Sequence, residues 1–451
     1  MKTQITNQTA CRKGILFLFS LMIFPSLVSF SQEVLKDYKV NPEEKKQVVD
    51  SITLFIKEKY VFPDKGEAMG QLVLKNLKEG KYDGISNPQD FAEALTEDLQ
   101  LVNHDRHIRV MYGPEMIDMV RKGQKEETKK EMEEYMKRQQ EHVNFNFEQI
   151  KILSGNVGYL KFNSFMDASN AGPTAIAAMN FLAHTDALII DLTENGGGSP
   201  SLIQLITTYF FEEPEHINSF YIREGDKTDQ FWTLPYVPGE RMTETDIYIL
   251  TSGFTFSGAE EFTYNLKNMK RAIIIGETTG GGAHPVEQHI INDNFEITIP
   301  FGKAVNPITS SNWEGTGIEP HVKAEKNKAF DVAYALALDS LFKKEGNGDV
   351  KQELAWAKDG HQAKLNPFKM DEKSMKDFAG VYGPRNITLE NGQLYYQREG
   401  RPKMKMVPMK EDLFMLEDLE YFRLRFIREN GRIVAVEGLY DDGRTDKHNK
   451  S

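Results

Sequence analysis

The chain has 451 residues, with 67 acidic against 55 basic side chains, a formal net charge of −12 and a single cysteine, Cys11. An acidic surface of this kind disfavours nucleic acid and anionic membrane as principal partners. One cysteine excludes a disulfide framework and a cysteine-built metal site, while the length suffices for two or three domains with cores of their own.

Lys2, Arg12 and Lys13 precede the apolar run Gly14–Phe24, and Ser29-Phe-Ser31 supplies small residues for cleavage, so residues 1–31 read as an export signal. The apolar run is short and soon broken by Pro25, so no stable membrane insertion is expected after its removal. The mature protein is expected in the periplasm or outside the cell. It would lose Cys11 and three positive charges, and so be free of thiols and more acidic still. From 32 to 120 apolar residues recur at helical spacing (Val48, Ile52, Phe55; Leu72, Leu77; Phe91, Leu95, Leu99), which predicts a helical domain. A stretch rich in Lys, Glu and Gln follows, and 121–150 reads as a charged connector, a solvated helix or a mobile link.

From 151 to 342 short apolar strands alternate with helical patterns. The strands are Val157–Phe162, Ala187–Leu192, Ile247–Leu250 and Ala272–Ile275; the helices are Pro173–Leu182, Leu202–Phe211 and Gly258–Met269. That alternation predicts an α/β core with parallel pairing, whose site belongs at the strand ends. Residues 343–373 read as a Gly-, Asn- and Lys-rich linker. From 374 to 451 alternating segments and the turns Glu390-Asn-Gly392 and Glu429-Asn-Gly431 predict an antiparallel β domain.

The segment Thr251-Ser-Gly-Phe-Thr-Phe-Ser257-Gly-Ala-Glu-Glu-Phe262 runs from a strand through a small-residue turn into a helix. It lifts the Ser257 hydroxyl to a helix N-terminus, where N–H groups can stabilise an oxyanion; a helix-capping role is the other reading. A serine nucleophile needs a base, and His104, His107, His284 and His289 all lie near turns. Their spacing gives no persuasive metal set, and no cofactor is expected. The glycine turn Asp191-Leu-Thr-Glu-Asn-Gly-Gly-Gly198 could present further N–H donors; it lacks the lysine and spacing of a nucleotide loop.

Taken in order, Asn156-Val-Gly-Tyr-Leu-Lys-Phe, Ile189–Gly198, Phe254–Phe262, Gly276-Glu-Thr-Thr-Gly-Gly-Gly-Ala-His-Pro and Gly315-Thr-Gly-Ile-Glu-Pro resemble the tail-specific, or C-terminal processing, serine peptidases. The likeness covers roughly residues 40–340 and is nearest the branch containing interphotoreceptor retinoid-binding protein and the tricorn core. It implies a crotonase/ClpP-like α/β core, Ser257 as nucleophile, and Gly258 with Gly197 or Gly198 as the oxyanion hole. The processing peptidases take their base from a lysine in a Gly-Lys-Gly segment, but this chain has Gly280-Gly-Gly282, and Lys267, Lys270 and Lys303 do not match that motif. The tricorn-like branch implies instead a Ser257–His107–Glu314 triad, with activity falling on the acid side of about pH 6 to 7 as an ordinary histidine protonates. No PDZ module fits between the helical region and the first core strand, and the C-terminal β region resembles a lipocalin-like accessory domain. The implied partner is a peptide or protein substrate, cleaved through an acyl-enzyme; an esterase and a non-catalytic binder of an apolar ligand are the alternatives. Nothing in the sequence sets an oligomeric state.

Overall fold

The computed structural model describes residues 38–451, so the export signal over 1–31 and Cys11 lie outside the described residues. Helices α1 (Pro42–Lys59), α2 (Pro63–Lys78) and α3 (Pro88–Asn103) each begin with proline in the first turn, where its missing N–H costs nothing. Asn41 and Asn87 cap α1 and α3 by accepting backbone N–H groups. Strand β1 (Arg109–Tyr112) follows α3 after a short turn; then come α4 (Pro114–Gln124) and α5 (Glu126–His142). Helix α5 buries no residue, as expected of the charged stretch that forms it.

The core continues through β2 (Phe147–Leu153), β3 (Val157–Phe162), α6 (Ala168–Leu182), β4 (Ala187–Asp191), α7 (Pro200–Thr208), β5 (His216–Ile222), β6 (Lys227–Trp232) and β7 (Asp246–Thr251). Beyond these lie α8 (Gly258–Asn268), β8 (Ala272–Gly276), β9 (Val286–Ile290), β10 (Phe295–Pro300), β11 (Gly302–Val305), β12 (Val322–Lys323) and α9 (Ala329–Lys344). Six strands form one sheet in the order β12-β8-β7-β4-β3-β2, parallel except where β2 meets β3. Both faces are covered, which is why its strands read as continuous apolar runs. Leu160, Leu188, Ile190, Ile249 and Ile274 pack under α6, α7 and α8, while Tyr159, Ile189, Tyr248 and Ile275 pack under α9.

Helix α6 begins at Ala168, five residues before the sequence-predicted start, and carries Pro173 inside it. The Asp167 side chain accepts Ser169 N–H and is itself held by the hydroxyls of Ser199 and Ser201, an anchoring that the proline does not undo. The expected linker over 343–373 is mostly helical, with α10 (Gly348–Leu365) and α11 (Glu372–Lys376). Helix α10 buries Leu354, Ala357, Gly360, His361 and Ala363, residues mostly too small or polar to leave a clear apolar stripe.

The last eight strands, from Gly380–Tyr382 to Thr445–Asn449, form an antiparallel sheet in sequence order. A bridge between Tyr382 and Lys450 brings the last strand back to the first, making a near-barrel filled by Phe378, Phe414, Phe422 and Phe426. Two of its hairpins turn at Asn391-Gly392 and Asn430-Gly431, all four with positive φ, as two-residue Asn-Gly turns require. The fold class is therefore the one the pattern predicts: a helical N-terminal region, an α/β core and a C-terminal antiparallel β unit. No helix among the described residues is long and apolar enough to cross a membrane.

Strand pairing and a shared apolar cluster join the helical region to the core. Strand β1 pairs antiparallel with β10, with Arg109 opposite Thr298 and Tyr112 opposite Phe295. Beneath that small sheet α1 and α3 contribute Val48, Ile52, Phe91 and Leu95 to a cluster shared with Phe295, Ile297 and Ile299. The α3–β1 turn is thereby carried to the end of the core sheet.

Candidate active site

Strand β7 ends at Thr251, and the turn to α8 is pinned at every step. Ser252 Oγ donates to Thr193 O, Thr255 Oγ1 to Leu192 O, and Phe256 N–H to Asn195 O. Ser257 follows at φ 53°, ψ −121°, a conformation costly for a residue with a Cβ and held here by its surroundings. Glu260, fully buried in the first turn of α8, supplies much of that hold. Its oxygens accept Ser257 N–H at 2.9 Å, Gly281 N–H at 2.7 Å, Gly282 N–H at 2.8 Å and the Thr279 hydroxyl at 2.5 Å. One carboxylate thus ties the Ser257 turn to the glycine run.

Ser257 Oγ lies 3.1 Å from His107 Nε2, bringing a hydroxyl and an imidazole 150 residues apart into hydrogen-bond reach. The His107 ring packs tilted against Phe256 at 4.7 Å between centroids, and Phe256 also lies 5.1 Å under the Arg106 guanidinium. Arg106 in turn donates to Gly280 O at 2.8 Å. A Cβ on Gly282 would fall 2.6 Å from His107 Cε1 and 2.3 Å from Phe256 Cζ, so the imidazole fills the space that a side chain there would need.

Behind the imidazole stand two carboxylates. Asp105 Oδ1 accepts His107 N–H at 3.1 Å and lies 3.9 Å from His107 Nδ1, while Oδ2 faces His284 Nδ1 at 2.7 Å and accepts the Tyr60 hydroxyl at 3.1 Å. Glu314 Oε2 accepts Ala283 N–H at 2.6 Å, and its loop is anchored by Trp313 Nε1 donating to Gly282 O. His107 Nδ1 and Glu314 Oε1 are both buried without a partner. An oxygen of Asp105, one of Glu314 and a nitrogen of His107 all fall within 4.8 Å of one another. The spacing could hold a metal ion, but N–H donors already occupy three of the four carboxylate oxygens and Nε2 faces the serine, a pattern that suits proton handling better.

Burial sets the charges. It lowers the His107 pKa to about 4, against the pull of Asp105, and raises that of Glu314 to about 7, with Asp105 adding to the rise. The imidazole therefore stays neutral well below neutrality. Glu314, by contrast, is held protonated to higher pH than an ordinary glutamate.

Of the expected oxyanion donors, Gly197 N–H is taken by Asn195 Oδ1 at 2.9 Å. The bridge between Gly198 and Phe165 uses Gly197 O and Ser199 N–H, leaving Gly198 N–H over, and a Cβ on Gly258 would sit 2.8 Å from Gly198 N. Gly198 and Gly258 are thus the better-placed pair. Gly197 is held by its fit, since a Cβ there would lie 2.8 Å from Ser257 Cβ. The other candidate bases fall elsewhere. His104 is the exposed C-cap of α3, and His289 lies in β9 against the Phe55 ring. Lys267 donates to Glu319 O and Lys303 lies over Tyr221. Sequence reading passed over Glu260 and Asp105; Ser257-Gly-Ala-Glu260 is a capping-box pattern that could have singled out the first.

A hydroxyl on a strained strand-to-helix turn with an imidazole on it is the geometry of serine-type hydrolases. Within that class the chain belongs to peptidase family S41: the family's model matches residues 156–324, and that of the N-terminal domain of peptidase S41 in eukaryotic IRBP matches 42–153. It is 23% identical over 232 residues to the carboxy-terminal processing protease CtpB of Bacillus subtilis (strain 168), a match spanning 51% of this chain and 47% of that protease. Among solved structures it is similar to a protein of Parabacteroides merdae ATCC 43184 (15% identity, 66% of this chain, 98% of that one, TM-score 0.46). A lipoprotein of Streptococcus agalactiae is alike to a similar degree (14% identity, 66% and 96%, TM-score 0.45).

Proposed function

We propose that the protein is an exported serine peptidase, acting in the periplasm or outside the cell, that cleaves peptide bonds through an acyl-enzyme on Ser257. The observation that carries this reading is the 3.1 Å approach of Ser257 Oγ to His107 Nε2. In the first half-reaction Oγ attacks the scissile carbonyl carbon as its proton passes to Nε2. The carbonyl oxygen becomes an oxyanion between Gly258 N–H and Gly198 N–H. The new imidazolium is stabilised by Glu314 and Asp105, then gives its proton to the departing amine, leaving an ester on Ser257. Water, deprotonated by the same nitrogen, hydrolyses the ester and restores the serine.

The test is labelling with a serine-reactive fluorophosphonate together with hydrolysis of an unstructured protein such as casein. Wild type is expected to do both. Ser257→Ala is expected to do neither while keeping its circular dichroism and melting temperature. Equal labelling of the two would remove Ser257 as nucleophile, and the absence of any hydrolysis by wild type would favour a non-catalytic binder on the same scaffold.

A further inference from the structure

The Ser257–His107–Glu314 triad leaves the buried imidazole of His284, at its back, without a role. His284 sits two residues past the glycine run with its side chain 2% exposed. Its Nδ1 lies 2.7 Å from Asp105 Oδ2 and 3.5 Å from Glu314 Oε2, so it stands between the two carboxylates that face His107. The Phe62 ring closes on it edge-on at 5.5 Å, and the Tyr60 hydroxyl shares its oxygen on Asp105. Asn103 Nδ2 in turn donates to that hydroxyl.

We propose that His284 is a positioning residue, a proton-bearing bridge that holds Asp105 and Glu314 together behind His107. Two carboxylates this close repel unless a cation or a shared proton lies between them. The side chain lying between these two is an imidazole. The groups that face it are Asp105 and His107 from the α3–β1 turn, Tyr60 before α2, Glu314 from the loop after β11, and Lys303 from β11 itself. Asp105 and Glu314 outweigh burial and Lys303, and the His284 pKa is raised above that of a free histidine. Its charge acts outward in turn, favouring ionised Glu314 and neutral His107. Both are the forms that a general base and its stabiliser need before attack.

The inference rests on the peptidase reading, so its test includes a measurement that needs no turnover. In Ser257→Ala protein with ring-labelled histidines, the NMR titration of His284 is expected to have its midpoint above the ordinary ~6.5. Adding His284→Asn is expected to raise the His107 midpoint by on the order of one unit. In the active enzyme His284→Asn is expected to move the acid limb of kcat/KM to higher pH by a comparable amount, because both Glu314 and His107 then hold protons more tightly. KM well above that limb should stay near the wild-type value. A His284 midpoint at or below 6.5, or a His107 midpoint that does not move, would overturn the bridge whether or not Ser257 proves to be the nucleophile. So would a loss of kcat/KM that is uniform with pH, the signature of a packing role.

Discussion

At the scale of single residues, the site sets two acid–base groups at opposite extremes of their ordinary ranges. In the proposed mechanism His107 must be neutral to take a proton, a condition lost only as pH falls through about 4; Glu314 must be ionised to stabilise the imidazolium, a condition lost as pH falls through about 7. The acid limb of kcat/KM in wild type is therefore expected near 7. In Glu314→Gln it should vanish, leaving a rate about 10²- to 10⁴-fold lower but flat down to about pH 5. A pH–rate profile of the two proteins decides it, and an unchanged limb in the variant would assign it to another group. Glu260 supports a stability prediction, since an amide there would turn N–H donors toward backbone N–H groups. Glu260→Gln is expected to cost about 1–3 kcal/mol in urea unfolding. Ser257, His107 and Glu314 could be singled out because each stands in a recognisable run of neighbours, and the fold brings the three side chains together. Glu260 and Asp105 could not, because the partners that define them, Thr279 to Gly282 and His284, are brought in only by the fold.

Among elements, the alternation of short strands and helices was readable because a sheet covered on both faces leaves whole apolar strands in the sequence. The bounds of β3 match the sequence reading residue for residue. Helix α10 was not readable: what it buries is largely alanine, glycine and histidine, and its Gly348 and Asn347 look like linker residues until Asn347 is seen to cap it by accepting Asp349 N–H. The glycine run after β8 shows how an element can decide the chemistry. Its close fit against His107 and Phe256 makes Gly282→Ala a sharp perturbation, since an added methyl group must push the imidazole or the Phe256 ring aside. A displacement of about 1 Å is enough to lower kcat/KM on the order of 10²-fold, so fluorophosphonate labelling should slow by that much while the melting temperature changes little. Labelling at the wild-type rate would mean that the loop, not the ring, gives way.

For the molecule as a whole, α10 is the bracket between core and near-barrel. Its Trp356 lies 3.7 Å under the Arg423 guanidinium and donates Nε1–H to Glu420 O, while Glu420 reaches Ser154 in the core and Lys364 on the helix. Trp356→Ala is expected to loosen that joint, so that limited proteolysis releases a fragment of the size of residues 374–451 from the variant first. The core does not draw on the joint for its chemistry, and Ser257 labelling should be retained; a fall in labelling would couple the near-barrel to the site. The pairing of β1 with β10 carries a different consequence. Ser257 and His107, the proposed nucleophile and base, arrive on opposite sides of that seam, so a nascent chain whose α/β half has folded but whose helical half is still undocked would expose an alcohol with no imidazole on it. Under the proposed function, a newly made chain would cleave only once that seam has closed.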